Sequence, residues 1–391
     1  MKSAFKRSAR RLVDRTLTPH LDRQTTDFAR VLDERLAAPA PPAPAGHLLL
    51  TAFNHLLHEL RTIELRNLPA TDRVLLSAGC AGGWYFEWLE AAAGPFERHI
   101  GVELYSPRPE RLPTGVTWIV ETASHMPTIE PASVDVVFSG QNFEHLWIDD
   151  MAGFLGEAYR VLRPGGHLVV DSPNRLATEA LAWVHPEHTI ELTADEAVEL
   201  FTLAGFDVET VRGLWSCRDR TGAWQRLEPE PGDAAAILDR AARRSDVDDT
   251  FIWWIEARRS DRPVDQDAVA AHVAGLFARH WPARVARGTE LLPVVAGATG
   301  VVYRTAALPL FAGTVDVTAS HPQLTVHVQR ADGSTVASAP GELTVDLATT
   351  EFGAVVELIA ERPLPEPVDA PGVTIGQHPR PPQRGAHDDE S

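Results

Sequence analysis

The sequence predicts an α/β protein with a doubly wound, mostly parallel sheet, followed by a smaller C-terminal antiparallel β domain. From residue 48 to residue 259, apolar runs of strand length alternate with runs of helical spacing. Such alternation is typical of a parallel sheet that is covered by helices on both faces. After residue 259 the alternation stops, and one helical run is followed by short β-rich runs between turn signals. These later runs indicate an antiparallel sandwich.

Each element of the α/β region is predicted from its local pattern. Runs that favour strands are short and apolar, and they cover residues 73–78, 99–104, 116–120, 134–139, 167–172, 206–212 and 251–257. Runs that favour helices repeat apolar residues at helical spacing, and they cover residues 47–68, 84–93, 151–162 and 195–204. In such sheets, ligands bind beyond the carboxyl ends of the strands, where the strand order reverses.

Composition divides the chain into five segments. They are an N-terminal helix with a Pro/Ala linker (1–46), the α/β domain (47–259), a connecting helix (260–287), a small β domain (288–362) and a disordered tail rich in proline, glycine and charge (363–391). The basic start at residues 1–17 leaves a peripheral membrane contact open, beside packing on the domain or on a second copy. The oligomeric state stays open.

The overall charge and the cysteine content narrow the classes of partner and compartment. The 391 residues carry a net charge of −18, which repels nucleic acid, so no nucleic-acid partner is predicted. Cys80 and Cys217 are too few for a disulfide framework and favour a reducing, cytoplasmic setting. No apolar run approaches the roughly 20 residues that a transmembrane segment needs.

A turn of small residues follows the first predicted strand. It contains Gly79, Gly82 and Gly83, together with Ser77 and Ala81. Small residues let the backbone approach a ligand closely, and the start of the next helix offers free N–H groups. The turn lacks the Gly-Lys-Ser/Thr of a phosphate loop and the G-x-G-x-x-G spacing of a dinucleotide site. A nicotinamide-dependent oxidoreductase is therefore the weakest hypothesis.

Three further signals follow in order. Glu103 ends the second predicted strand, where a carboxylate can accept hydrogen bonds from both hydroxyls of a ribose. Asn142, Glu144 and His145 follow the fourth predicted strand. A Leu-Arg-Pro-Gly-Gly turn at residues 162–166 then ends a helix before the fifth strand.

Over residues 48–259, these signals in this order resemble class I S-adenosylmethionine-dependent methyltransferases. The resemblance implies S-adenosylmethionine as the cofactor. It places the glycine turn beside the methionine part, Glu103 on the ribose, and two residues near the adenine. The implied cofactor-binding residues are Ser77, Gly79, Ala81, Gly82, Gly83, Glu103, Thr122 and Ala123.

The turn departs from the family pattern at two positions. The family usually has an acid where Ser77 stands and a glycine where Ala81 stands. These departures keep a second hypothesis open, namely a non-catalytic binding or scaffold protein with a methyltransferase-like fold.

The predicted reaction is methyl transfer to a small-molecule or glycan acceptor, with O-methylation favoured. The cofactor is already a strong electrophile, so the enzyme must chiefly align the acceptor. A hydroxyl acceptor also benefits from a base. His145 is the candidate base and Glu144 the alternative catalytic residue, while a purely structural histidine remains open at position 145.

A second polar cluster lies at residues 185–191. His185, His188 and Glu191 have a spacing that suits a metal ion, but nothing in the sequence holds them on one element, and Pro186 interrupts a helix. We therefore predict no metal site. Contacts to the substrate and plain loop residues are the remaining interpretations.

Overall fold

The computed structural model of the protein describes residues 52–68, 73–80, 82–227, 234–243, 246–291, 299–365, 368 and 370–380. The predicted N-terminal helix and linker (1–46) lie outside the described residues, as does Ala81.

Seven α-helices lie in these ranges. They are α1 (Ala52–Arg66), α2 (Gly83–Ala93), α3 (Ile148–Val161), α4 (Arg175–Ala180), α5 (Ala194–Leu203), α6 (Ala234–Ala242) and α7 (Gln266–Ala286). Short 3-10 turns occur at Phe143–His145 and Val247–Asp249. Among the helices described, none is both long enough and apolar enough to cross a membrane.

The central sheet has seven strands in the order β3-β2-β1-β4-β5-β7-β6. Its strands are β1 (Val74–Ala78), β2 (Arg98–Val102), β3 (Val116–Ile119), β4 (Val134–Gly140), β5 (Leu162–Pro173), β6 (Phe206–Ser216) and β7 (Thr250–Arg259). The first five strands pair in parallel, whereas β7 runs antiparallel to β5 and β6. The strand order reverses between β1 and β4, and this reversal defines the ligand-binding edge. The predicted fold class is confirmed.

Side chains of the sheet alternate between two helical layers. Val74 and Leu76 of β1 pack in the core that includes α3, α5 and α7. Leu75, between them, packs in the core that includes α1, α2 and α6. This two-residue alternation follows from strand geometry, and it covers both faces of the sheet.

The C-terminal part forms two antiparallel sheets. One has the order β13-β12-β15-β9-β8 with β10 beside β15, and the other has the order β14-β11-β16. The strands are β8 (Glu290–Leu291), β9 (Gly300–Arg304), β10 (Leu308–Leu310), β11 (Gly313–Ala319), β12 (Thr325–Gln329), β13 (Thr335–Pro340), β14 (Glu342–Leu347), β15 (Glu351–Ala360) and β16 (Val373–Pro379). The predicted antiparallel β domain is present.

The prediction of a disordered tail is wrong for β16. Residues 373–379 pair with β11 along the whole strand, and Ile375 is buried. The proline- and glycine-rich composition hid this strand because its pairing partner lies about 60 residues earlier in the chain. Residues 381–391 lie outside the described residues.

A continuous apolar core joins the β domain to the α/β domain. Trp147, at the start of α3, lies 5.1 Å from the Trp281 ring and 5.6 Å from the Phe311 ring. The indole N–H of Trp281 donates to the Ile375 carbonyl at 2.9 Å. The connecting helix therefore packs on both domains at once, and the boundary near residue 287 crosses a packed interface.

Candidate active site

The glycine turn lies at the carboxyl end of β1. Gly79 has a left-handed backbone, with φ of 72°, and its N–H donates to the Val102 carbonyl at 3.0 Å. A Cβ at Gly79 would lie 2.2 Å from the Asn142 side chain, so glycine alone combines this backbone with this close approach. Gly82 directly precedes Gly83, the first residue of α2. The turn thus ends where helix N–H groups lack partners within the helix.

Ser77 already has a partner inside the protein. Its side chain is fully buried in β1, and Oγ lies 2.8 Å from Nε2 of His99. Nδ1 of His99 lies 3.2 Å from a carboxylate oxygen of Glu90 on α2. Burial lowers the pKa of His99 to about 4, so this ring is neutral at pH 7. The assignment of Ser77 to the cofactor stays a prediction.

Glu103 lies directly after β2, and its own loop holds it in place. Its Oε1 atom accepts hydrogen bonds from the N–H groups of Leu104 at 3.1 Å, Tyr105 at 2.8 Å and Ser106 at 3.0 Å. Burial raises the pKa of Glu103, although these backbone donors oppose that effect. All three bonds use the same oxygen, so the carboxylate has a fixed orientation and its Oε2 atom takes no part in them.

The residues predicted beside the adenine form a turn after β3. Thr122 Oγ1 lies 2.8 Å from the Ser124 hydroxyl, which donates to Asp150 Oδ1 at 2.6 Å. Ala123 is buried. Glu103 N–H donates to the carbonyl of the last residue of β3 at 3.1 Å, so this turn and the Glu103 loop are neighbours. The residues that the sequence predicts to bind the cofactor, within the described part of the chain, thus gather at one edge of the sheet.

A buried ion pair that the sequence analysis missed supports the turn after β4. Asp171, near the end of β5, is fully buried and pairs with Arg61 of α1. Its Oδ1 atom accepts the backbone N–H of Gln141 at 2.9 Å, and Gln141 has a left-handed φ of 55°. The sequence does not predict this ion pair, because Arg61 in α1 and Asp171 in β5 are far apart in the chain.

Glu144 lies in the 3-10 turn that follows β4, and its carboxylate is buried. Neither oxygen has a partner in hydrogen-bond geometry among the described residues. Burial raises the pKa of Glu144 to about 7. The nearby His188 and the Ser172 hydroxyl lower this pKa and so partly offset the effect of burial. The Ser172 hydroxyl nevertheless lies outside hydrogen-bond geometry. The distance from Glu144 Oε1 to His188 Nε2 is 3.8 Å, too long for a hydrogen bond. A buried polar group left in this state is rare and needs an explanation.

Thr189 joins the loop at residues 185–191 to the turn that carries Glu144. Its backbone N–H donates to the Glu144 carbonyl at 2.8 Å. Its hydroxyl lies 2.9 Å from the same carbonyl and 2.8 Å from the Leu146 carbonyl. These contacts hold the adjacent His188 against the turn.

Glu191 holds the His188 ring through the nitrogen that does not face Glu144. Its Nδ1 atom lies 3.0 Å from Glu191 Oε1, and Glu191 Oε2 accepts from Arg287 Nη1 at 3.0 Å. Burial tends to raise the pKa of Glu191, but the hydrogen bond from His188 and the charges of His188, Arg287 and Arg284 lower it to about 2. The ionised carboxylate accepts from Nδ1 of His188, so the Nε2 atom of the same ring faces Glu144.

His145 completes the cluster. The His145 ring lies 4.8 Å from the His188 ring and 6.0 Å from the His185 ring. Burial and these neighbouring imidazoles lower the pKa of His145 well below its usual value, so the ring is neutral. Its side chain is still 27% exposed, which leaves it within reach of a bound molecule.

The structure therefore brings together two motifs that the sequence presents separately. One donor atom each from Glu144, His145 and His188 lies within 4.8 Å of the others. Because residues 145 and 188 are far apart in the chain and lie on different loops, only their residue types pointed to a shared site. Neutral imidazoles beside a carboxylate can accept a proton or coordinate a cation.

Parts of the chain are similar to known proteins. Residues 76–170 match the family described as "Methyltransferase domain". A probable S-adenosylmethionine-dependent methyltransferase of Mycolicibacterium smegmatis is 48% identical over 86 residues, which are 22% of this chain and 33% of that protein. One of Mycobacterium tuberculosis is 33% identical over 159 residues, which are 37% of this chain and 53% of that protein. The chain thus spans between a third and about half of the length of these relatives.

A solved structure of a methyltransferase from Archaeoglobus fulgidus is 19% identical, with a TM-score of 0.38 over 52% of this chain and 94% of that one. The matched residues 76–170 run from β1 through β5 and include the glycine turn, Glu103 and Glu144. The α/β domain is thus similar to S-adenosylmethionine-dependent methyltransferases, and residues 76–170 match a methyltransferase-domain family.

Proposed function

We propose that the protein transfers the methyl group of S-adenosylmethionine to a hydroxyl of a small-molecule or glycan acceptor. The observation that carries this proposal is the layout of one sheet edge. The glycine turn after β1 and Glu103 after β2 lie on one side, and the Glu144–His145–His188 cluster lies on the other. The side chain of Asn142 packs directly on Gly79, so the two halves adjoin.

On the cofactor side, the turn after β1 would hold the methionine part of the cofactor and Glu103 would hold its ribose. The N–H groups at the start of α2 suit the carboxylate of the methionine part. The Oε2 atom of Glu103, which takes no part in the loop bonds, suits a ribose hydroxyl. Thr122 and Ala123 would line the adenine.

On the acceptor side, the cluster would promote loss of the hydroxyl proton. As the acceptor oxygen bonds to the methyl carbon, the bond from sulfur to that carbon breaks and S-adenosylhomocysteine leaves as a neutral thioether. The hydroxyl proton must leave as well, and help with such proton transfer is worth about 100- to 10,000-fold. His145 and Glu144 are the residues that we propose for this task.

The acidic chain supports a small or glycan acceptor rather than nucleic acid. Its net charge of −18 opposes binding to a polyanion. Cys80 and Cys217 are both free and buried, which supports the reducing, cytoplasmic setting included in this proposal.

The replacement Glu103→Ala tests the cofactor side of the proposal. We expect it to weaken S-adenosylmethionine binding by about 1–3 kcal/mol, because the ribose hydroxyls would lose a charged acceptor. Isothermal titration calorimetry with the full chain measures this directly. Glu110→Ala is the matched control, since Glu110 is an exposed acid on the same loop and should leave affinity unchanged.

Unchanged affinity in Glu103→Ala would exclude the ribose role. If the wild-type chain itself binds neither S-adenosylmethionine nor S-adenosylhomocysteine, the scaffold hypothesis replaces the enzymatic one. Acceptor identity then follows from labelled methyl transfer to fractionated cell extract, with mass spectrometry of the product.

A further inference from the structure

We propose that Glu144, His145 and His188 bind a divalent transition-metal ion, with Mn²⁺, Co²⁺ and Zn²⁺ as the candidates. Two imidazoles and one carboxylate form a donor set that such ions accept while keeping other coordination positions open. Mg²⁺ and Ca²⁺ prefer sites made of oxygen ligands, so we expect them to bind more weakly.

The first argument is the unexplained state of the Glu144 carboxylate. It is 1% exposed, and neither oxygen has a hydrogen-bond partner among the described residues. The ring nitrogen that faces it at 3.8 Å is His188 Nε2, while Nδ1 of the same ring is bound to Glu191. A carboxylate and an imidazole, both common metal ligands, thus face each other in a buried space without a hydrogen bond between them. A cation between them would satisfy both.

The second argument is the spacing of the three donors. The donor atoms all lie within 4.8 Å of one another. Around an ion with bonds of about 2.1 Å, neighbouring donors stand about 3.4 Å apart. A contraction of up to about 1.4 Å, within reach of side-chain rotation, would close the site on the ion.

The third argument is the support behind His188. Metal-binding histidines usually donate their second ring N–H to a carboxylate, which fixes the ring and its tautomer. Glu191 takes this part at 3.0 Å and is itself held by Arg287 at 3.0 Å. Glu191 is therefore a positioning residue, and Thr189 holds the same loop on the Glu144 turn at 2.8 Å.

The effect of the metal ion on the reaction depends on the proposed function, whereas metal binding itself does not. Three protein ligands leave positions for the acceptor hydroxyl, and a bound cation makes that hydroxyl more acidic. Glu144 and His145 would then act as ligands, and the proton would pass to solvent water. The remaining bond changes are those already given for methyl transfer.

Calorimetric titration of the metal-free full chain tests the site. We expect MnCl2, CoCl2 or ZnCl2 to bind with one equivalent per chain, and MgCl2 to bind more weakly. Glu144→Gln and His188→Gln should each weaken this binding by more than about 100-fold, and Glu191→Gln by about 10- to 100-fold. His378→Gln is the control, because His378 is exposed on β16, outside the cluster, and should leave binding unchanged.

A second measurement needs no variant. Co²⁺ bound to nitrogen and oxygen ligands gives a visible absorption band, which should appear in the wild-type chain and saturate at one equivalent. In Glu191→Gln the band should shift, which a merely structural change elsewhere would not produce, and circular dichroism verifies that each variant folds. Absence of saturable binding in the wild type, or undiminished binding in both Glu144→Gln and His188→Gln, would overturn the site.

The metal proposal and the proposed function fail in different ways. If the chain binds S-adenosylmethionine in the presence of a chelator but binds no metal, only the metal site is lost. If it binds the metal but not S-adenosylmethionine, the methyltransferase proposal is lost and the metal site stands.

Discussion

The hydroxyl of Ser77 and the ring of His99 form a buried neutral pair inside the glycine-turn strand. Their separation of 2.8 Å means that each satisfies the other where no water reaches. At the position of Ser77 the methyltransferase family usually has an acid, which would give the pair a charge. With serine at this position the pair carries no charge, and burial keeps the His99 ring from taking up a proton at pH 7.

We expect this ring to make stability depend on pH. Burial lowers the pKa of His99 from 6.5 to about 4, so between these values the unfolded chain binds a proton that the folded chain does not. Stability is then fully present above pH 6.5 and falls as the pH drops toward 4, by about 2–3 kcal/mol. Urea unfolding at several pH values measures the slope.

In His99→Gln this part of the pH dependence should disappear, whereas His378→Gln, on the exposed face of β16, should keep it. Equal slopes in wild type and His99→Gln would assign the dependence to other groups.

At the scale of elements, the 3-10 turn after β4 and the loop at residues 185–191 act as one unit. Across this junction the Thr189 N–H donates to the Glu144 carbonyl, and the single hydrogen of its hydroxyl is shared between the carbonyls of Glu144 and Leu146. His188 precedes Thr189 directly, so the junction determines where the ring lies relative to the Glu144 carboxylate.

Thr189→Val tests this junction. It keeps the side-chain volume but leaves the Leu146 carbonyl without its partner, so we expect a loss of about 1–3 kcal/mol in the free energy of unfolding. The turnover number should fall while S-adenosylmethionine affinity stays unchanged, because the cofactor-side residues are not touched. Thr189→Ser, which retains the hydroxyl, should restore both. A variant with normal turnover would show that the junction does not position the cluster.

The sequence pattern was sufficient to predict the elements that are determined by residues close together in the chain. Alternating apolar runs predicted all seven strands of the central sheet, and the positions of Gly79 and Glu103 follow from their places at strand ends. β16 was missed because its polar, glycine-containing sequence becomes a strand only through pairing with β11. The contact between Glu144 and His188, and the pair of Arg61 with Asp171, were missed because each joins residues distant in the chain.

At the scale of the whole molecule, the two domains share a core. Trp281 of the connecting helix contacts Trp147 at 5.1 Å and bonds to Ile375 of the β domain at 2.9 Å. The sequence predicted a separate β domain, whereas the packing shows large aromatic side chains from both parts in contact. Burial of each such ring is worth roughly 1.5–3 kcal/mol.

Truncation after Arg287 should therefore lower the melting temperature and expose the rings of Trp147 and Trp281. Calorimetric melting of residues 48–287 against the full chain measures the loss, and an apolar dye reports the exposed rings. The fragment should still bind S-adenosylmethionine below its melting point, since the glycine turn and Glu103 remain. A fragment as stable as the full chain would contradict the shared core.

The loop that carries His188 is attached at three places. Thr189 binds the turn after β4, Arg287 holds Glu191, and Arg284 donates to the His185 carbonyl at 2.7 Å and to the Ala307 carbonyl at 3.0 Å. A segment tied to a turn, a helix and a second domain cannot swing aside as a lid without breaking all of these bonds. Under the proposed function, an acceptor would therefore enter past other parts of the surface, and residues 185–191 would contact it as a fixed surface rather than as a moving lid.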